Sequence, residues 1–421
     1  MACKDNNMDK IAIVVQRYGK EINGGAEVHA RLLAERLKEK YDVDVLTSCS
    51  LAYPAWDNHY PAGEEMMNGV RVLRFKDEGA NRKKTRRLGR YLRGNWKYYH
   101  RGYTINNFIT LSIRRIWYRR KKNHGRVFDR WIVNHGPVCK EMITYLEQEK
   151  NQYKAFIYFN YPFYPTYFGL QHTSGKSILI PLAHDEPMLY LSGFEKMFSL
   201  PGFIMYNTES ERLLLESAHP VTRTIRSDLA GVGFDLPVLD ENSEPPIGFP
   251  YFVYIGRIDV GKGCLELMNY FSMMNRSQHR NIKLVMIGKN HLKTFVKDDN
   301  IIFTGFIGEE EKLLYLQHCA GLIIPSRHES LSMVTLEAMS FGKPVLANGY
   351  CDVLKRHIEK SQAGFLYYDV KDFSVQVDKI LNLSDNGKQV IARNGMQYAE
   401  KNYRWERIIE KFDIAIDYVG A

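Results

Sequence analysis

The stretch GLIIPSRHESLSMVTLEAMSFGKPVLAN (321–348) reads as strand, loop, helix and strand in succession. GLII is an aliphatic run that ends in Pro-Ser, and KPVLAN is a second apolar run. Between them LSMVTLEAM places Leu331, Val334, Ala338 and Met339 near helical spacing, with Ser330 or Ser332 as the expected N-cap. A strand returned to its sheet through a helix is the repeating unit of an α/β fold, so this stretch sets the class. It also carries two carboxylates, Glu329 in the turn and Glu337 in the helix, among hydroxyl, small and apolar side chains.

The same alternation extends in both directions. Upstream, YFVYIGRID, IKLVMIGK and IIFTGF read as strands, and GFLYYD follows downstream. Before them LDENSEPPIGFP (239–250), with three prolines, breaks the pattern as a linker would. An earlier series, IAIVVQ, DVDVLTS, GVRVLRF, AFIYFN, SILIPLA, FIMYN and TRTIRS, predicts another α/β unit. Its first helix, after Gly24-Gly25, sets Ala26, Ala30, Leu33 and Leu37 on one face. The expected organisation is an N-terminal Rossmann-like domain over 1–240, a linker over 241–250 and a second Rossmann-like domain over 251–400. A final helix over 401–421 is expected to return to the first domain. Two doubly wound domains facing across a cleft would present their strand C-termini to a ligand.

Composition agrees with a globular protein. Of 421 residues, 45% are hydrophobic and 25% charged, a length that favours two cores over one. The six cysteines (Cys3, Cys49, Cys139, Cys264, Cys319, Cys351) show no C-x-x-C spacing, which argues against a disulfide framework or a structural zinc. The opening MACKDNNMDK is polar, and no apolar run approaches the roughly 18 residues of a membrane span, so a cytoplasmic chain is expected. The net charge of +10 is local: 79–128 holds sixteen Lys or Arg and no Asp or Glu, and outside it acids outnumber bases.

Chemistry follows from the strand ends. A helix N-terminus at the C-terminal edge of a parallel strand presents unpaired N–H groups suited to a phosphate. Carboxylates beside it would serve hydroxyl groups instead, for which they are strong acceptors. YFVYIGRIDVGKG (251–263) brings a strand end, the Gly256 turn, Arg257 and Lys262 to the same edge, the expected clamp for a diphosphate. Taken alone, each of these features also fits a solvated turn or a dipole-complementing acid.

Together, GRID-x-x-KG and PS-x-x-ES-LS-x-V-x-LEA-x-S-x-GKPV resemble the retaining glycosyltransferases of family 4, whose fold is GT-B. NGGAE, HDEP, NTESER, VGFD and FTGF extend the resemblance over nearly the whole chain. It implies that Arg257 and Lys262 hold the diphosphate of a nucleotide sugar, with UDP and GDP both open. It further implies that Glu329 contacts the donor sugar's hydroxyls, that Glu337 contacts the ribose, and that the N–H groups around Leu331 and Ser332 cap the distal phosphate. Gly24, Gly25 and Gly256 would let the main chain approach the donor, and His184 would contact the donor sugar. One departure stands out: many members have Glu-Gly-Phe-Gly where this chain has Glu329-Ser330-Leu331-Ser332.

His184 and Asp185, directly after a strand, form a His-Asp pair in which Asp185 orients the imidazole or meets the acceptor. NYPFYPTYFGL (160–170) offers Tyr161 and Tyr164 as acceptor candidates, or equally a packed aromatic loop. Asp42-Val43-Asp44 is read as a strand start, and no metal or cofactor beyond the sugar nucleotide is expected. The basic segment interleaves cations with Trp96, Tyr98, Tyr99, Tyr103, Phe108, Trp117 and Tyr118. That mixture suits an anionic membrane surface first, nucleic acid second, and a solvated flap third.

The expected activity is therefore a retaining hexosyltransferase-like reaction. It would move a sugar to a glycan or lipid-linked acceptor in cell-surface polysaccharide or glycolipid synthesis, peripheral to the inner face of the membrane. A nucleotide-sugar epimerase of the same architecture and a nucleic-acid-binding protein are the alternatives. A dinucleotide oxidoreductase is disfavoured, because RYGKEINGG replaces G-x-G-x-x-G after the first strand.

Overall fold

The computed structural model describes residues 8–22, 24–92, 124–235, 242–278, 281–294 and 296–421. Most of the basic, aromatic segment, including Trp96 to Lys122, lies outside them. The chain divides into two compact units: unit 1 comprises Met1–Val232 with Ile408–Ala421, and unit 2 comprises Gly233–Arg407.

Unit 1 is built on eight strands: β1 Lys10–Val14, β2 Asp42–Ser48, β3 Gly63–Met67, β4 Val70–Phe75, β5 Ala155–Phe159, β6 Ser177–Ile180, β7 Phe203–Tyr206 and β8 Arg226–Leu229. They lie in the order β3-β4-β2-β1-β5-β6-β7-β8. All neighbours are parallel except β3 and β4. Every residue of β5, AFIYF, is buried, as expected of a strand covered on both faces. β3, GEEMM, was not legible in the sequence; it is an exposed edge strand whose two glutamates keep the sheet from pairing onward. TRTIRS is strand only at its end, since Pro220–Thr224 forms a 3-10 turn before β8 begins at Arg226.

Unit 2 carries β9 Tyr251–Ile255, β10 Lys283–Ile287, β11 Ile301–Gly305, β12 Gly321–Ile324, β13 Val345–Asn348 and β14 Gly364–Tyr367. The order β11-β10-β9-β12-β13-β14, all parallel, is the 3-2-1-4-5-6 order of a Rossmann sheet. β9 shows why the sheet holds together. Tyr251, Val253 and Ile255 enter one core, with Leu322, Val345 and Ala347. Phe252 and Tyr254 enter the other, with Leu267, Phe271 and Met286. Period-two alternation thus fills both faces, each buried large apolar side chain contributing about 1.5–3 kcal/mol.

The domain border differs from the expected one. The division falls at Val232/Gly233, ahead of 240, so the described part of the proline-rich stretch belongs to unit 2. Ile247 packs on the unit 2 core, and Ser243 Oγ bonds His318 Nε2 at 2.9 Å. Proline-rich composition suggested a free linker, but one apolar and one hydroxyl side chain are enough to dock it. At the other end, helix Trp405–Gly420 is divided, and from Ile408 onward it belongs to unit 1, where Lys40 and Lys154 bond Asp413 and Asp417.

Candidate active site

In unit 2 the strand order reverses between β9 and β12, and the loops after these two strands carry the predicted residues. After β9 the chain turns at Gly256, whose φ of +145° favours glycine. Arg257 then emerges, half-exposed, with its guanidinium paired to Asp259. Asp259 Oδ1 also accepts the Lys262 N–H at 2.8 Å, closing the turn. Gly263 ends it at φ +75°, and a Cβ there would stand 2.6 Å from the Pro325 carbonyl oxygen. Only a glycine lets the cation turn lie against the end of β12, and this contact brings Lys262 Nζ to 2.7 Å from Glu329 Oε1.

The second glutamate shares a lysine with Glu309, whose Oε1 lies 2.7 Å from Lys312 Nζ. Glu337 lies on the helix Met333–Ser340, and its Oε2 is 3.0 Å from Lys312 Nζ on the helix Glu309–His318. Burial alone would lower the Lys312 ammonium, but the Glu337 and Glu309 carboxylates hold it above its ordinary value. Lys312 was missed in the sequence, where EEEKLLYL reads as a solvated first turn. The site is therefore two lysine–glutamate pairs, with Arg257 turned to Asp259.

Between the pairs runs the loop 325–332. Ser332 occupies the N-cap position of Met333–Ser340 but makes no side-chain cap; its Oγ meets Thr335 Oγ1 at 2.8 Å instead. Its backbone is left-handed, φ +64°, at the position where the family pattern carries its second glycine. Two buried side chains hold the loop. Asn348 Nδ2 donates to the Pro325 carbonyl at 3.0 Å, and His357 Nε2 donates to the Leu331 carbonyl at 2.8 Å. Because a carbonyl can only accept, Nε2 carries the proton, and Nδ1 accepts from the Tyr398 hydroxyl at 2.9 Å. Burial pushes His357 down to about 4, so it is neutral at physiological pH.

Unit 1 reverses its strand order between β1 and β5. Gly24 precedes the helix Gly25–Leu37, and a Cβ on it would collide with the Glu27 carboxylate at 2.1 Å, whereas one on Gly25 would meet nothing within 4 Å. Gly24 thus makes room for its own chain. Glu27, buried, accepts from Arg17 Nη2 at 2.6 Å and Gln16 Nε2 at 3.1 Å, tying the end of β1 to the helix.

The aromatic loop after β5 is a correction. Tyr161 and Tyr164 are buried, Tyr161 against Phe194 and Phe198 and Tyr164 against Phe168, so their ring faces are occupied by the core. The residues after β6 have further partners. Asp185 accepts from the Tyr190 hydroxyl at 2.8 Å, while His184 Nε2 lies 3.7 Å from Glu186 Oε2. The Tyr161 hydroxyl reaches Glu186 Oε1 at 3.3 Å, so Glu186 joins the ends of β5 and β6. The Asp-Val-Asp stretch does begin β2: Asp44, fully buried, pairs with Arg71 and Lys10 and accepts from the Tyr153 hydroxyl.

Two Rossmann-type sheets in one chain are the architecture of the GT-B fold, and the comparisons with known proteins point to a glycosyltransferase. Residues 239–402 match the family of glycosyl transferases group 1. The match lies within unit 2. A glycosyltransferase of Methanocaldococcus jannaschii is 23% identical over 450 aligned residues, covering 98% of this chain and 100% of that protein. A lipopolysaccharide 1,2-N-acetylglucosaminetransferase of Salmonella typhimurium is 28% identical over 179 residues, 38% of this chain and 46% of its own length. Anabaena HepE in complex with UDP and glucose shares the fold with a TM-score of 0.63 at 14% identity, over 97% of this chain and 99% of that one.

Proposed function

We propose that this glycosyltransferase moves a sugar, with retention of anomeric configuration, from a nucleoside diphosphate sugar to a glycan or lipid-linked hydroxyl. The observation that carries the reading is the pairing of Lys262 with Glu329 and of Lys312 with Glu337 around one helix N-terminus. Cations suit the phosphates and carboxylates suit the hydroxyls of one sugar nucleotide. Lys262, Arg257 and the N–H groups at Leu331–Ser332 would stabilise charge developing on the departing diphosphate. Glu329 would take the donor sugar's hydroxyls, Glu337 the ribose, and His184 a hydroxyl of the donor sugar. The presence of UDP in the HepE complex favours a uridine donor.

No metal is assigned to this reaction, since the cations of the chain supply the phosphate charge; EDTA should leave turnover intact. The acceptor is assigned to cell-surface polysaccharide or glycolipid synthesis, with relatives such as the Salmonella lipopolysaccharide transferase supporting that direction. A membrane-facing role rests on the charge of 79–128. Among the described residues no helix is long and apolar enough to cross a membrane. Flotation with anionic liposomes, and none with neutral ones, is the expected result; equal flotation would remove the electrostatic contact.

The deciding experiment screens the purified chain against UDP-glucose, UDP-N-acetylglucosamine and GDP-mannose for release of the nucleotide, with and without oligosaccharide and lipid-linked acceptors. Turnover of one donor should fall about 10²-fold or more in kcat/KM on Lys262→Ala or Glu329→Ala, with melting temperature little changed. Undiminished turnover in both variants would take these residues out of the site.

A further inference from the structure

One buried acid is left without a task. Glu211, in NTESER, sits in the first turn of the helix Glu209–Ala218, where an exposed acid would complement the helix dipole. In the structure its side chain turns inward and is 1% exposed. Oε1 accepts the Ala183 N–H at 2.6 Å, and Oε2 accepts the Asn207 N–H at 2.7 Å. These two groups follow β6 and β7, so one carboxylate ties the ends of neighbouring parallel strands. The main-chain N–H groups of Leu182 and Thr208 also turn toward it.

The reason the loop needs such a tie lies one residue upstream. Leu182 has φ +54°, a left-handed conformation that a residue with a side chain rarely adopts. A left-handed residue persists where the surroundings over-determine it, and it turns consecutive N–H groups to one side. Glu211 supplies the acceptor for that side. The next residue but one is His184, which this bend directs away from the line of β6 and toward Glu186.

We propose that Glu211 is a positioning residue for glycosyl transfer: its buried carboxyl group fixes the left-handed turn at Leu182–Ala183 and thereby sets where His184 is presented. The inference rests on the assignment of His184 to the donor sugar. Burial pushes the Glu211 carboxyl up to about 8, while the N–H groups of Asn207, Ala183, Thr208 and Leu182 pull it down.

The test is a double-mutant cycle with the best donor of the panel, read as release of UDP or GDP in the presence of acceptor. Glu211→Gln keeps the volume but places an NH2 against one of the two main-chain donors. It should lower kcat at least tenfold with the donor KM changed less than threefold, and Glu211→Asp should recover part of the loss. In the His184→Ala background, Glu211→Gln should cost nothing further. Losses that multiply in the double variant would overturn the proposal, as would a Glu211→Gln enzyme with normal kcat. If His184→Ala alone leaves kcat intact, the assignment of His184 fails and this inference falls with it. Should Glu211→Gln not fold, Leu182→Gly tests the same turn from the other side: it relieves the backbone and frees the loop, so kcat should fall several-fold with melting temperature held, and unchanged kcat rejects the idea.

Discussion

The loop after β6 in unit 1 and the loop after β12 in unit 2 meet one requirement with opposite groups. Each contains a residue with a side chain in left-handed conformation, Leu182 at φ +54° and Ser332 at φ +64°, and each presents predicted site residues nearby. In unit 1 the turn leaves N–H groups facing inward, and the buried anchor is an acceptor, Glu211. In unit 2 it leaves the Leu331 carbonyl facing inward, and the buried anchor is a donor, neutral His357. The direction in which the peptide points decides whether a carboxylate or an imidazole is kept in the core. Glycine at either position would need less support, and in unit 2 the family pattern has it.

The comparison can be strained most severely through His357. An unfolded chain protonates this histidine near pH 6.5, whereas the folded chain holds it neutral down to about pH 4. Its stabilising contribution is therefore intact above pH 6.5 and is lost as pH falls toward 4, to a limit of about 3 kcal/mol. Denaturant titrations at pH 7 and 4.5 should show that loss, and His357→Gln, which titrates no proton, should show a correspondingly flatter dependence. His29 and His135, pushed down by burial to about 3 and about 4, add losses of the same sign in unit 1, so the difference between variant and parent is the quantity to read.

Gly263→Ala should be the next largest. Its φ of +75° and the Pro325 oxygen at 2.6 Å from the added carbon predict a destabilisation of about 2 kcal/mol or more. Separation of Lys262 from Glu329 should follow, seen as weakened UDP or GDP binding by calorimetry. Ser332→Gly should have the smallest effect and the opposite sign: a gain of up to about 1 kcal/mol from relief of the left-handed residue, reduced by loss of the Thr335 contact. A loss of stability there would show that the hydroxyl pair, and not the main chain, governs this loop.

How far the sequence could be read follows the same division. The strands of unit 2 are buried on both faces and so appear as continuous apolar runs, and the spacing of Lys262, Glu329 and Glu337 survives because loops at one sheet edge converge whatever lies between them. What local patterning could not reveal is the identity of each partner across the sheet. Lys312 and Glu211 look like ordinary first-turn helix residues, and only tertiary packing turns one toward Glu337 and the other inward. Tyr161 and Tyr164 illustrate the converse. A proline-rich aromatic loop has the composition of a sugar platform, yet the helix Phe194–Met197 lies against it and takes the rings into the core. Asp185 has a partner that the sequence did not point to, the Tyr190 hydroxyl five residues on.

At the C-terminal edge of the unit 2 sheet, two close backbone approaches leave no room for a side-chain carbon: Gly263 against the Pro325 oxygen, and Gly288 against the Gly256 oxygen, which an added Cβ would meet at 2.1 Å. The distance between the cation turn and the glutamate loop is thus gauged by the thickness of the peptide chain itself. Such a frame is indifferent to the chemistry mounted on it. Under the proposed function, exchange of Arg257, Glu329 or Glu337 would retune which donor is preferred while the spacing stays fixed, so a new specificity would arise at this edge without a new fold.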